Sequence, residues 1–258
     1  MAGERLDVAL VNRGRFASRE RAQEAIAAGM VRVNGQVITK PARKVGPDDQ
    51  IEVTGDPIGY VGRGGLKLEA ALDRFGIRPA GLVCLDVGAS TGGFTDCLLR
   101  RGARLVYAVD VGRGQLHPSL RADPRVVAME ETDIRRVERL PEAPALAVVD
   151  VSFISLTLVL PAVVRLLAPG GQIVALIKPQ FELGPAGVGK GGIVRDPRQH
   201  RRAVERVLGA ATALGLVGRE VIESPVRGGD GNREFLAWLL PAENPGRKAG
   251  SQSSDRES

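Results

Sequence analysis

At 258 residues and 43% apolar composition, the chain has room for one medium domain plus a small one, or for two. Two cysteines, Cys84 and Cys97, and two histidines, His117 and His200, lie far apart and exclude a disulfide framework or a recognisable Cys/His metal site, so no metal is expected. A net charge of +6 permits a polyanionic partner, while the longest uncharged apolar run, Val151 to Val164, holds 14 residues including Pro161 and is too short to span a bilayer. With no signal-peptide core at the start, a soluble protein of the reducing cytoplasm is expected.

In chain order, residues 1–56 read as a small α+β unit. RLDVALVNRG has helical spacing through Leu6 and Leu10, and SRERAQEAIAAG reads as a second helix with Ser18 as N-cap and Gly29 past its end. VRV and QVI flank Asn34-Gly35, a strong hairpin signal, and DDQIEV supplies a further strand. Arg13, Arg15, Arg19 and Arg21 bracket the start of the second helix, whose positive end adds to an anion-binding surface. Arg32, Lys40, Arg43 and Lys44 form a second basic group, and eight acids in the same region leave open a solvated, mixed surface. The helix-cap Ser-Arg, the Gly-x-Val and the Val-Asn-Gly turn fall in the order that resembles the S4 RNA-binding module over residues 5–53. The resemblance implies RNA as partner, with Arg5, Arg19, Arg21 and Arg32 as candidate contacts.

TGDPIGYVGRGG, Thr54 to Gly65, is rich in glycine and proline, and a linker is expected over 57–65. Beyond it, β-rich apolar runs recur at LVCLDV, RLVYAVDV, RVVAME, ALAVVDV, QIVALIK, LVGREVI and EFLAWLL, the first six separated by longer segments. That alternation predicts a doubly wound, mostly parallel α/β sheet over 66–241. Only SPVRGGDGNR separates the last two runs, too little for a crossover helix, so they should pair antiparallel. By analogy of fold, a parallel sheet ending in such a hairpin is the Rossmann-like S-adenosylmethionine methyltransferase arrangement. Residues 242–258 lack an apolar period and read as a disordered tail.

LDVGASTGGFTDCLL predicts a strand, a glycine turn and a helix from near Phe94. Asp86, Gly88, Ala89, Ser90, Gly92, Gly93 and Phe94 are the candidate cofactor residues there. Ser90 stands where the dinucleotide fingerprint requires glycine, which argues against a nicotinamide cofactor. Asp110 and Asp133, after the next two strands, can accept hydrogen bonds from ribose hydroxyls and the adenine amine, or cap helices. The set points to S-adenosylmethionine.

Asp150 ends the strand in LAVVDVSF and Lys178 the one in IVALIKPQFE; Glu234 opens the last strand, and Lys67 begins the helix LKLEAALDRF. Two amines and two carboxylates converging on one rim make a candidate catalytic site. Burial and the Lys67 cation would disfavour the charged form of Lys178, Asp150 would orient it while opposing that effect, and Lys67 with Glu234 would hold a ribose. The order Lys67, Asp150, Lys178, Glu234 around DVGASTGGF resembles the FtsJ class of ribose 2′-O-methyltransferases. With GRGGLKLEAAL, VDVSFISL, LIKPQFE and KGGIVRDP, the chain from about 5 to 240 is similar to the TlyA (hemolysin-A-like) family. The resemblance implies methylation of cytidine ribose in ribosomal RNA. One departure is Gly62, where that family has Ser.

ELGPAGVGKGGIV, Glu182 to Val194, lies within one residue of a triphosphate-binding loop, but Gly191 replaces the magnesium-binding hydroxyl and GGIVRDP cannot start a helix. The segment reads instead as a long loop beside the crevice, closing over RNA with Lys190 and Arg195 available to phosphates. Two rivals stay open. Asp150-Val151-Ser152-Phe153 partly matches the turn of base amino-methylators without its prolines, and the hemolysin name implies a non-enzymatic or membrane-damaging protein.

Overall fold

The computed structural model describes residues 3–16, 18–55, 59–184, 187–228 and 231–242. The expected tail from 243 onward and part of the expected linker, 56–58, lie outside the described residues. By internal contacts the chain divides into two compact units, Met1–Gly62 and Arg63–Ser258.

The first unit runs β1 (Glu4–Arg5), α1 (Leu6–Asn12), α2 (Arg19–Ala27), β2 (Val31–Val33), β3 (Gln36–Val37), β4 (Lys44–Val45) and β5 (Ile51–Val53). Ser18 caps α2 by accepting from the Arg21 N–H, and Gly29, at φ +72°, ends it in a Schellman turn closed by Gly29 N–H to Ile26 O and Met30 N–H to Ala25 O. Asn34 and Gly35 both take positive φ, the requirement of the type I′ turn that joins β2 to β3. β2 is the centre of a three-stranded sheet, and Leu6, Leu10, Ile26, Val31 and Val33 form the core. The two-residue pairing of β1 with β4 carries no signal in the sequence.

A single buried carboxylate ties this unit together. Asp7 has no exposed surface and accepts from Arg5 Nε at 2.9 Å, Arg19 at 3.1 Å and Gln23 Nε2 at 2.6 Å. The Arg5 bond first, then those from Gln23 and Arg19, hold it well below the usual carboxylate range against the cost of burial.

The second unit runs α3 (Gly64–Phe75), β6 (Val83–Val87), α4 (Gly93–Arg100), β7 (Leu105–Val109), α5 (Pro118–Arg121), β8 (Val126–Met129), β9 (Leu146–Val149), α6 (Leu156–Leu166), β10 (Gln172–Ile177), α7 (Pro179–Glu182), α8 (Pro197–Ala213), β11 (Leu216–Glu223) and β12 (Phe235–Pro241). Its seven strands lie in the order β11-β12-β10-β9-β6-β7-β8. β6 to β10 are mutually parallel, and β12 inserts antiparallel between β10 and β11. β6, β9 and most of β10 are buried along their whole length, which is why they read as unbroken apolar runs. The chain leaves β6 toward β7 and β8, then returns to β9 on the other side, so the switch point lies between β6 and β9 and opens a crevice at their carboxyl ends.

α3 begins at Gly64, inside the stretch expected to be linker. A Cβ at Gly64 would sit 3.2 Å from the Phe94 ring, so this glycine lets the helix start close against the glycine turn. The long loop expected after Lys178 is broken by α7 and by a 3₁₀ turn at Lys190–Gly192.

Because the folded value of Asp7 is depressed, its contribution to stability is present above about pH 4 and is lost as pH falls toward the folded value. Asp7→Asn should destabilise the first unit by about 1–3 kcal/mol at neutral pH, a deficit that narrows below pH 4. Hydrogen exchange of the α1 and α2 amides, variant against wild type at each pH, measures both.

Candidate active site

β6 runs directly into the glycine turn. Gly88, at φ +84°, passes so close to β9 that a Cβ would stand 2.2 Å from the Asp150 carbonyl, and Gly92, at φ +96°, would collide with Leu120. Both positions therefore exclude any other residue on backbone and packing grounds. Ser90 also takes a positive φ of 48°; its N–H bonds Asp110 Oδ2 at 2.8 Å and its hydroxyl bonds Gln115 at 3.1 Å. The turn floors a crevice of about 470 Å³ whose walls include Asp110, Asp133, Asp150 and Phe153.

The expected acids arrive in that crevice already engaged. Asp110 uses its second oxygen on Gly112 N–H at 2.7 Å. Asp133 caps the turn at Ile134–Arg136 and is chelated by Arg135, whose side-chain bond is the main reason it falls to about 2. Each carboxylate keeps further lone pairs for a ligand.

Asp86 differs from both. It has no exposed surface, its Oδ2 accepts from Thr95 at 2.6 Å, and its Oδ1 has no partner among the described residues. Burial, opposed by the Thr95 bond and reinforced by Asp150 and Asp110, pushes it up to about 7. A buried, half-satisfied acid under a glycine turn is a standing demand for a positive or hydrogen-bonding ligand group. Cys84, on the same strand, is pushed up to about 12 by burial first and by Asp86 second. Cys84 and Cys97 are both buried.

The rim carries two separate ion pairs. Lys178 Nζ lies 2.6 Å from Asp150 Oδ1 and donates to Ser152 Oγ at 2.9 Å. Lys67 Nζ lies 2.6 Å from Glu234 Oε2. Strand register explains their meeting: Ile177 pairs with Phe235 across β10 and β12, so Lys178 and Glu234 stand level at adjacent strand ends. All but Asp150 are more than nine-tenths buried. Lys67 is paired with Glu234, the partner expected for it, and that carboxylate offsets the charge expected to act on Lys178.

Three neighbours escaped the sequence reading. Ser152 lies in the Asp150–Phe153 turn, between Val151 and Phe153, and the motif there gave it no role of its own. Phe153 is 91% exposed at φ +63°, its ring 5.1 Å from Phe181, an exposure that no local pattern announces. Asn232, 1% exposed, accepts from Val194 N–H and donates to Gly192 O, both at 2.9 Å, while His200 Nε2 also meets Val194 O at 2.9 Å. These bonds pin the end of the glycine loop to the β11–β12 turn and to α8. An Asn two residues before a candidate Glu was the available signal.

Of the candidate RNA contacts, Arg32 is exposed, and Arg5 and Arg19 combine partial exposure with their bonds to Asp7. Arg21 is half-buried on α2. The Lys190 side chain lies outside the described residues.

A seven-stranded sheet in this order, its crevice floored by a glycine turn at the switch point, defines a Rossmann-like methyltransferase domain. The chain belongs to the FtsJ-like methyltransferase family, whose match spans residues 60–240, and an S4 domain matches residues 4–51. It is 48% identical over 240 residues to the 16S/23S rRNA (cytidine-2′-O)-methyltransferase TlyA of Mycobacterium tuberculosis, covering 91% of this chain and 89% of that protein. It is 44% identical to Hemolysin A of Brachyspira hyodysenteriae, over 92% of this chain and 99% of that one. A solved hemolysin structure from Streptococcus thermophilus superposes with a TM-score of 0.75 at 44% identity, covering 95% of this chain and 90% of that chain.

Because Asp86 is raised, the folded state binds a proton that the unfolded chain has already released, so its contribution to stability falls between about pH 4 and 7 at about 1.4 kcal/mol per unit. Asp86→Asn should remove this decline: the Tm difference, variant minus wild type, should grow across that window and level off above it. Asn232→Ala loses two buried bonds and should cost about 1–3 kcal/mol, read as a lower urea midpoint and faster amide exchange at Val194.

Proposed function

We propose that this protein transfers a methyl group from S-adenosylmethionine to a ribose 2′-hydroxyl of ribosomal RNA, on a cytidine, in the cytoplasm. The single observation that carries this is the pair of lysine–carboxylate contacts on the rim of the crevice, Lys178 with Asp150 and Lys67 with Glu234.

The residues present fit the cofactor. Gly88 and Ser90 line its floor, Asp110 and Asp133 offer acceptors to ribose hydroxyls and adenine amine, and Asp86 lies buried behind them with its Oδ1 unpartnered among the described residues. When bound, S-adenosylmethionine supplies a methyl group already activated on a sulfonium, which leaves alignment and proton removal to the protein. Lys178 is the base: in its neutral form Nζ would take the proton of the 2′-hydroxyl and leave O2′ as the nucleophile. Asp150 then stabilises the ammonium that forms, and Ser152 Oγ gives Nζ a hydrogen-bond partner in either state. Lys67, held by Glu234, positions the ribose through the hydroxyls. Phe153, exposed beside the crevice, offers a stacking surface to a base.

RNA affinity comes from the S4 domain, with Arg5, Arg19, Arg21 and Arg32 as contacts, and from Lys190 on the glycine loop. The reading of a base methylator acting through a cysteine nucleophile is disfavoured by the burial of both thiols and the raised value at Cys84. Among the described residues no helix is long and apolar enough to cross a membrane, so nothing in them favours direct lysis.

Labelled methyl transfer to intact ribosomal subunits and naked ribosomal RNA, with nucleosides identified by mass, should yield 2′-O-methylcytidine. A base-methylated product would overturn the reading. Lys178→Met should bind S-adenosylmethionine with near-normal affinity by calorimetry while kcat falls at least about 100-fold; near-normal turnover would remove Lys178 as the base.

A further inference from the structure

Helix α8 presents three stripes. His200, Ala203, Val207 and Ala211 are buried at spacings of three and four and fix the helix against the sheet. On one flank Arg201, Val204 and Glu205 line an apolar groove against Phe235. On the other flank Gln199, Arg202 and Arg206, at i, i+3 and i+7, line a separate pocket of about 530 Å³. We propose that this second pocket binds a backbone phosphate of the RNA strand undergoing methylation, an inference that rests on the RNA reading above.

Arg202 and Arg206 stand one turn apart on the same face, both exposed, and neither makes an ion pair or hydrogen bond with any described residue. Many other arginines in this unit, such as Arg74, Arg101, Arg104, Arg121 and Arg135, are matched to a carboxylate. Two unmatched guanidiniums in one concavity repel each other, and the two non-bridging oxygens of a singly charged phosphodiester relieve that repulsion through forked hydrogen bonds. The one carboxylate in the wall, Glu182, is turned away and satisfied: it accepts from Ser155 Oγ at 2.6 Å and from Leu156 N–H at 2.9 Å, capping α6. The acid therefore does not claim the arginines. At Gly184 no atom of the described residues beyond its chain neighbours lies within 4 Å of where a Cβ would stand.

The third polar group in the pocket is an unsatisfied acceptor. Gln199 Oε1 is shielded from water and has no donor among the described residues. Turned into the pocket, that side chain could accept from a sugar hydroxyl beside the bound phosphate, and the 2′-hydroxyl is what RNA has and DNA lacks. Position agrees with chemistry. Lys178 is the N-cap of α7 and Glu182 its last residue, so a residue of the pocket wall stands one short helix, about 6 Å of rise, along the backbone from Lys178. A strand that brings its ribose to Lys178 runs past Arg202 and Arg206 with a neighbouring phosphate.

The test is the double variant Arg202→Ala/Arg206→Ala, with Arg201→Ala on the opposite flank of the same helix as control. Binding of the ribosomal RNA substrate is measured over a salt series, alongside calorimetry with S-adenosylmethionine and methyl transfer at saturating RNA. The double variant should lose about tenfold in RNA affinity, with the slope of log K against log salt reduced by about 1. Its cofactor affinity, melting temperature and kcat should match wild type, and Arg201→Ala should leave affinity and slope unchanged. An unchanged slope in the double variant, or an equal loss in the Arg201→Ala control, overturns the proposal. Failure of the wild type itself to bind or methylate ribosomal RNA would instead bring down the RNA reading, and this pocket with it.

Discussion

A lysine that ends a buried strand cannot be left without a counter-charge, and the rim of the candidate site is organised around that constraint. β9 and β10 are apolar to their ends, and each then delivers one charged residue into the same crevice, Asp150 and Lys178, 2.6 Å apart. β12 enters antiparallel beside β10, and its first turn brings Glu234 level with Lys178, where Lys67 from α3 takes it as partner. Desolvation makes each charge dependent on its own partner, so the four groups are fixed in pairs. For Lys178 the Asp150 contact holds the amine in place, and Ser152 Oγ accepts a second bond from it.

The floor of the crevice is held by a different kind of tension. Gly88 and Gly92 are demanded by positive φ and by neighbouring atoms that a Cβ would strike, which lets the turn settle directly on the end of β9 and on Leu120. Beneath it Asp86 is left with one oxygen unpaired and a value raised to about 7. Local stability is given up where a ligand can restore it, a common arrangement at sites preorganised for a charged cofactor.

Around this centre the less regular segments are tied to the frame by buried polar side chains. Asn232 and His200 hold the end of the glycine loop from the β11–β12 turn and from α8, so a segment rich in glycine is anchored at Gly192 and Val194. In the N-terminal unit Asp7 performs the corresponding task, gathering Arg5, Arg19 and Gln23 from β1 and α2. The two arginines are thereby oriented by the fold that they also decorate.

Much of this was legible before any coordinates. The seven strands, the antiparallel last pair, the Asn34-Gly35 hairpin, the Ser18 cap and the glycine turn follow from periodicity and from residues with few conformational options, because backbone sterics act over a few neighbours. The residue types at strand ends also marked the rim, since a charge after an apolar run must emerge at an edge. What only the tertiary structure decided is who meets whom. Lys67 with Glu234 is a contact across 167 positions, Asn232 reaches back 38 and 40, and the orphaned oxygen of Asp86 and the exposure of Phe153 depend on what other segments fail to cover. Such pairings are set by sheet register and by the three-dimensional packing of distant segments, and no local pattern carries that information.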